Sequence, residues 1–236
     1  MKATRVRKLD PAAPLVENAG RIVRVRLDEM RSFIPAALHP QCETEQHDLR
    51  IAAKRLRYVL EATGFCFGGP ADNARRRARE IQDVLGELHD CDVMLPRVSE
   101  HVERLRSEDA VAVRLRAGEA EELDPALVSR APHRTSYRGL EVLAVHVEAR
   151  RGLLFNRFVE LWGELERNGT WDRLERAIDR KVHELRERQA AIERAERAAR
   201  ELEAAERAER EASERARRAA DELAEAKRLQ EGPGAP

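Results

Sequence analysis

The sequence predicts an all-α protein, a helical bundle followed by one long charged helix. Three observations carry this expectation. Charged residues make up 37% of the chain and aromatics only 4%; the abundant Ala, Leu, Glu and Arg are strong helix formers, whereas strands draw on β-branched and aromatic residues. Between Pro14 and Arg167 apolar residues recur at helical spacing. From Trp171 to about Leu229 the chain is almost entirely Ala, Glu and Arg, with no Gly or Pro before Gly232.

The elements follow in order. Residues 1–13 are basic and proline-containing and read as a loose arm. A first helix begins near Pro14 and ends before Pro35, with Leu15, Ala19, Ile22, Val23, Leu27, Met30, Phe33 and Ile34 on one face and Arg26 set into that face. A second runs from about Thr44 to Thr63 and stops at Gly64, Gly68, Gly69 and Pro70. A third runs from about Asp72 past Leu95, bends near Pro96 and continues to Leu105; residues 107–135 look less regular. A fourth, Tyr137 to Arg167, has an apolar stripe from Leu140 to Leu165, with Arg151 in its middle. Asn168-Gly169-Thr170 then reads as a stop and a new cap. The boundaries expected are a bundle at 1–170, a long helix or weak coiled coil at 171–230 and a disordered tail at 231–236, with Ile178, Val182, Leu185 and Ile192 beginning the coiled-coil seam.

Composition narrows the function classes. No N-terminal segment has the pattern of a secretory signal and no apolar run approaches the ~20 residues of a membrane span. Three cysteines without Cys-x-x-Cys spacing suit reduced thiols, so a cytoplasmic protein without membrane contact is expected. Lys plus Arg equals Asp plus Glu at 44 each, so an anion site must come from local concentration of charge.

That concentration lies on the second helix. His47, Arg50, Lys54, Arg57, Tyr58 and Glu61 share one third of its circumference, with Arg55 to one side, opposite Leu49, Ala52, Ala53, Leu56, Val59 and Leu60. Arginine forks suit phosphate oxygens and lysine adds a compact charge. A solvated helix face would explain this column alone. The third helix adds a second stripe, Arg75, Arg79, Gln82, Gly86, His89 and Asp90, opposite Ile81, Val84, Leu85 and Leu88. Gly86 in a helix interior costs about 1 kcal/mol relative to Ala, so a close approach is expected there. Arg26 and Arg151 in apolar faces either pair with internal acids such as Asp83, Asp90 or Glu61, or line a polar cavity.

His47-x-x-Arg50-x-x-x-Lys54-Arg55-Leu56-Arg57-Tyr58-x-x-Glu61, followed by Ile81-Gln82-Asp83-Val84-Leu85-Gly86-Glu87-Leu88-His89-Asp90, resembles the CHAD domain, the conserved-histidine α-helical domain, and more loosely so from about Leu9 to Leu165. The resemblance implies a four-helix bundle of CHAD type that binds inorganic polyphosphate in a basic cavity, without catalysis, and associates with polyphosphate granules. His47, Arg50, Lys54 and Arg57 match its first motif, and Gln82, Gly86, His89 and Asp90 its second. Arg55 belongs with the first motif, and the helix faces add Arg26, Arg75, Arg79 and Arg151 to the polyphosphate-binding set; no catalytic residue, metal ligand or cofactor is expected. Family members typically hold two four-helix halves, each with a His-x-x-Arg helix, and this chain shows one. A single half-repeat is therefore expected, with a homodimer through the bundle or the C-terminal helix rebuilding the other.

Three other functions compete. A metal-dependent phosphohydrolase would place Asp48, Asp83 and Asp90 around one Mg²⁺, beside arginines that repel it. A scaffold would act through the C-terminal helix. Nucleic-acid binding is disfavoured by the scarcity of aromatics for stacking and by the balanced charge.

Overall fold

The computed structural model describes residues 2–230, the last three by backbone alone, and the expected tail at 231–236 lies outside them. Among the described residues the elements are helical: α1 (Leu15–Arg31), α2 (Ile34–Ala37), α3 (Glu43–Thr63), α4 (Gly69–Ala117), α5 (Pro125–Val128), α6 (Arg134–Arg167) and α7 (Thr170–Gln230), with a 3₁₀ turn at Gly64–Cys66. None is long and apolar enough to cross a membrane.

α1, α3, α4 and α6 form the bundle. α3 packs on α1 and α4, and α4 packs on α6. Leu27 and Met30 of α1, Leu49 and Leu56 of α3, Ile81, Leu85 and Leu88 of α4, and Phe158 and Leu165 of α6 are fully buried. α4 passes through Pro96, as expected, but does not stop at the end expected near Leu105. The helix runs on to Ala117 because Val98, Val102, Leu105 and Val113 continue its buried face. Much of the segment expected to be irregular is thus helix. α3 turns into α4 through Gly68, whose φ of 67° and ψ of −149° suit a residue without Cβ. Between α6 and α7, Gly169 takes φ 56° and donates to the Glu166 carbonyl, closing one helix before the next begins.

The N-terminal arm is anchored, not loose. The Thr4 N–H donates to Glu29 Oε1 at 3.0 Å and the Thr4 carbonyl accepts from Arg26. Asn18 holds Asp10 through backbone bonds in both directions.

The chain divides at Val182/His183, past the boundary expected at residue 170. The first turns of α7 belong to the bundle because they carry its bulkiest apolar groups. Trp171, Leu174 and Ile178 are buried, and Trp171 stacks on Trp162 with centroids 6.1 Å apart. Ile178 and Val182, expected to open a coiled-coil seam, face α1 instead. Arg31 pairs with Asp172 and Glu175 at 3.0 and 3.1 Å. The second unit, from His183, is a helical segment with ladders such as Glu196–Arg200 at 3.3 Å and Glu211–Arg215 at 3.3 Å, all exposed. Such i,i+4 pairs each add about 0.3–0.5 kcal/mol to helix stability.

Gly20 is what lets α7 lie so close to α1. A Cβ at residue 20 would stand 2.7 Å from Ile178 Cγ2, and a buried β-branched side chain has no alternative rotamer at little cost. Gly20→Ala should therefore destabilise the bundle by about 1–3 kcal/mol through overpacking, against a helix-propensity gain of about 1 kcal/mol. Urea denaturation checks this: the midpoint falls, whereas the same substitution at exposed Gly139, where a Cβ meets nothing, raises it.

Candidate functional site

α3 and α4 are consecutive helices joined by a tight turn, so they pack as an antiparallel pair. Three cross-helix contacts give the register: the His47 and His89 rings lie 4.4 Å apart, Arg50 lies against Gly86, and Arg57 Nε donates to Gln82 Oε1 at 3.0 Å. The two polar stripes expected from the sequence therefore face one another along one groove. Leu49, Ala52, Ala53, Leu56 and Leu60 from α3, and Ile81, Leu85 and Leu88 from α4, are buried on the far side and fix that rotation.

Gly86 has a specific role. A Cβ there would sit 3.4 Å from Arg50 Nε and 3.9 Å from its terminal nitrogen. The close approach expected at this position is made by the arginine itself, which lays its guanidinium on the bare face of α4.

The groove holds polar groups without partners. His47 Nδ1 and Arg50 Nε are buried and make no hydrogen bond, although about nine in ten buried polar groups normally do. Arg50, Lys54 and Arg75 make no ion pair with the described residues; Arg50 and Arg75 are half-buried and Lys54 is exposed. Lys54 Nζ stands 5.8 Å and Arg57 Cζ 4.3 Å from the Tyr58 ring centroid. Burial first, then His89 and then the Arg50 guanidinium, hold the His47 pKa below its ordinary 6.5, with Asp48 opposing them. The imidazolium form of His47 is thus disfavoured in the free protein, chiefly by burial and then by its cationic neighbours.

The remaining expected site arginines each have an acidic partner. Arg57 is partly neutralised by Glu61, at 2.6 Å. Arg79 lies on the surface, 3.6 Å from Asp83, a pair of little energetic consequence. Arg26 and Arg55 both bind the carboxylate of Glu29, Arg55 at 2.9 Å. Arg151 pairs with Asp92, with Glu43 at 3.7 Å and with the Gln46 side-chain carbonyl at 3.3 Å. Arg26 and Arg151 are therefore structural ion pairs rather than lining for an open cavity. Their partners are Glu29 and Asp92, not Asp83, Asp90 or Glu61. The Arg26-x-x-Glu29 spacing was a readable signal for the first pair. The second depends on the packing of α6 against α4. Among the described residues no group of three or more His, Cys, Asp and Glu side chains is arranged to hold a metal ion.

Comparison with curated proteins and with solved structures gives no match. The family model of the CHAD domain matches residues 2–99, a segment that holds the arm, α1 to α3 and the motif-bearing part of α4. α6, over which the looser resemblance extends, lies outside the match. With the two motifs facing each other across one groove, residues 2–99 of this chain belong to the CHAD domain family.

Proposed function

We propose that the α3–α4 groove binds inorganic polyphosphate, or a polyanion of similar charge density, without converting it. The observation that carries this reading is the half-buried Arg50 guanidinium with its unpartnered Nε, beside the equally unpartnered Nδ1 of His47. The chain has as many acids as bases, yet no described carboxylate pairs with Arg50, Lys54 or Arg75. Successive turns of α3 rise ~5.4 Å, so His47, Arg50, Lys54 and Arg57 meet successive phosphoryl groups, with Gln82, His89 and Arg75 closing the other wall. Arg50 supplies forked hydrogen bonds, Lys54 and Arg75 supply charge, and the histidines supply donors. Guanidinium groups beside both histidines repel the divalent cation that a metal-assisted phosphohydrolase needs, which favours binding over turnover. On this reading the protein associates with polyphosphate granules in the cytoplasm.

His47 provides the test. Its pKa is lowered in the free protein, and an anion beside it favours the imidazolium, so binding takes up protons. Affinity for medium-chain polyphosphate should rise as pH falls from 8 through ~6.5. Calorimetry in two buffers of different ionisation enthalpy should detect the proton uptake, and His47→Gln should reduce it. Stability of the free protein runs the other way. Between the lowered folded pKa and 6.5 the unfolded chain binds more protons, so stability rises with pH through that window. Affinity that stays flat from pH 6 to 8 would falsify the role given to the histidines.

A further inference from the structure

α6 is apolar on two opposite faces. Val147, Leu154, Phe158, Trp162 and Leu165 are buried against the bundle. On the other side Val142, Val145 and Leu153 are 67%, 68% and 72% exposed. A helix apolar on both sides is normally covered on both. At about 100° per residue, Arg138, Val142, Val145, Ala149, Leu153, Asn156 and Glu160 form one outward stripe. It carries no charge between its two ends, and its ends carry opposite charges.

We infer that this stripe is a homodimer interface, in which α6 of one chain pairs antiparallel with α6 of a second copy about a two-fold axis at Ala149. The stripe is self-complementary in that register. Residues equidistant from Ala149 come level, so Arg138 meets Glu160 of the second copy at both ends, Val145 comes level with Leu153, and Val142 with Asn156. Arg138 and Glu160 are exposed and make no ion pair with the described residues. Ala149 at the axis and exposed Gly152 beside it allow the helix backbones to approach. A cavity of about 290 Å³ between α4 and α6, with apolar walls from Met94, Leu143 and Val147 and charged ones from Glu87, Asp90 and Arg150, borders the stripe and extends the surface available for contact beyond one helix face. That extension matters because a stable interface buries roughly 800 Å² on each partner, more than a single stripe offers. Isologous contacts of this kind close as dimers.

Sedimentation equilibrium of the full chain tests the interface. The wild type should be a dimer. Val145→Glu should raise the dissociation constant by about tenfold or more, while circular dichroism and the melting temperature at protein concentrations low enough to dissociate the dimer stay unchanged, since the side chain lies on the monomer's surface. Arg138→Glu or Glu160→Arg alone should weaken the dimer roughly fivefold. The exchanged pair Arg138→Glu with Glu160→Arg should restore it, because both ends are again complementary. A wild-type monomer in the high-micromolar range, a Val145→Glu dimer as tight as wild type, or an exchanged pair no tighter than the single reversals would each overturn the inference.

Discussion

Arg50→Ala is expected to lower affinity for medium-chain polyphosphate about ten- to a hundredfold, because hydrogen bonds to charged groups contribute about 1.5–3 kcal/mol. It should leave the stability of the bundle nearly unchanged. Both expectations come from one geometric fact: the Arg50 Nε is buried against Gly86 with nothing to bond. An unsatisfied buried donor is unfavourable in the free protein, so removing it relieves a penalty. A ligand oxygen that bonds it recovers that penalty on binding. Arg57 should matter less, since Glu61 already takes part of its charge and Gln82 its Nε. Arg57→Ala alone should cost only a few-fold, and the double variant roughly thirty- to several-hundredfold, additively in free energy for separate contacts. Titration calorimetry at fixed salt measures this, with wild-type affinity falling steeply as salt rises. Unchanged affinity in the double variant would remove the groove as the binding site.

The groove was legible in the sequence because it depends on helical periodicity within two adjacent helices. His47, Arg50, Lys54 and Arg57 lie on one face and Gln82, Gly86 and His89 on another, and a tight Gly-rich turn leaves few ways to pack those helices except face to face. The same reasoning misread Arg26 and Arg151. Periodicity shows that an arginine falls in an apolar stripe, but not which acid answers it. For Arg26 the acid is Glu29, on the same helix one turn on. For Arg151 the acid is Asp92 of α4, and nothing local in either helix announces that meeting. The extent of α7 in the bundle was hidden for a related reason. Trp171, Leu174 and Ile178 repeat at helical spacing, but that spacing serves a coiled-coil seam and a bundle core equally. Gly20, which admits Ile178, lies some 150 residues earlier.

Glu29→Ala should be the most destabilising of these substitutions, by about 3–5 kcal/mol, because it takes the carboxylate from the buried Arg26 guanidinium and removes one partner of Arg55. The Glu29 side chain is only 3% exposed. It accepts from Arg26, from Arg55 at 2.9 Å and from the Thr4 N–H at 3.0 Å. One carboxylate thus ties α1, α3 and the N-terminal arm together. Chemical denaturation should show the loss, and limited proteolysis should show earlier cleavage within residues 2–13 once Thr4 loses its acceptor. Replacing Arg26, Glu29 and Arg55 together with apolar residues of similar volume should recover most of the stability, since buried ion networks are often no stronger than a packed apolar core. The contrast with Arg50 separates the two kinds of arginine on neighbouring turns of α3. Arg55→Ala should weaken the fold and leave polyphosphate affinity within a few-fold of wild type, whereas Arg50→Ala should do the reverse. If Arg55→Ala abolished binding at full stability, the Glu29 pair would have to open for the ligand, and the anion path would run around α3 rather than along the α4 groove.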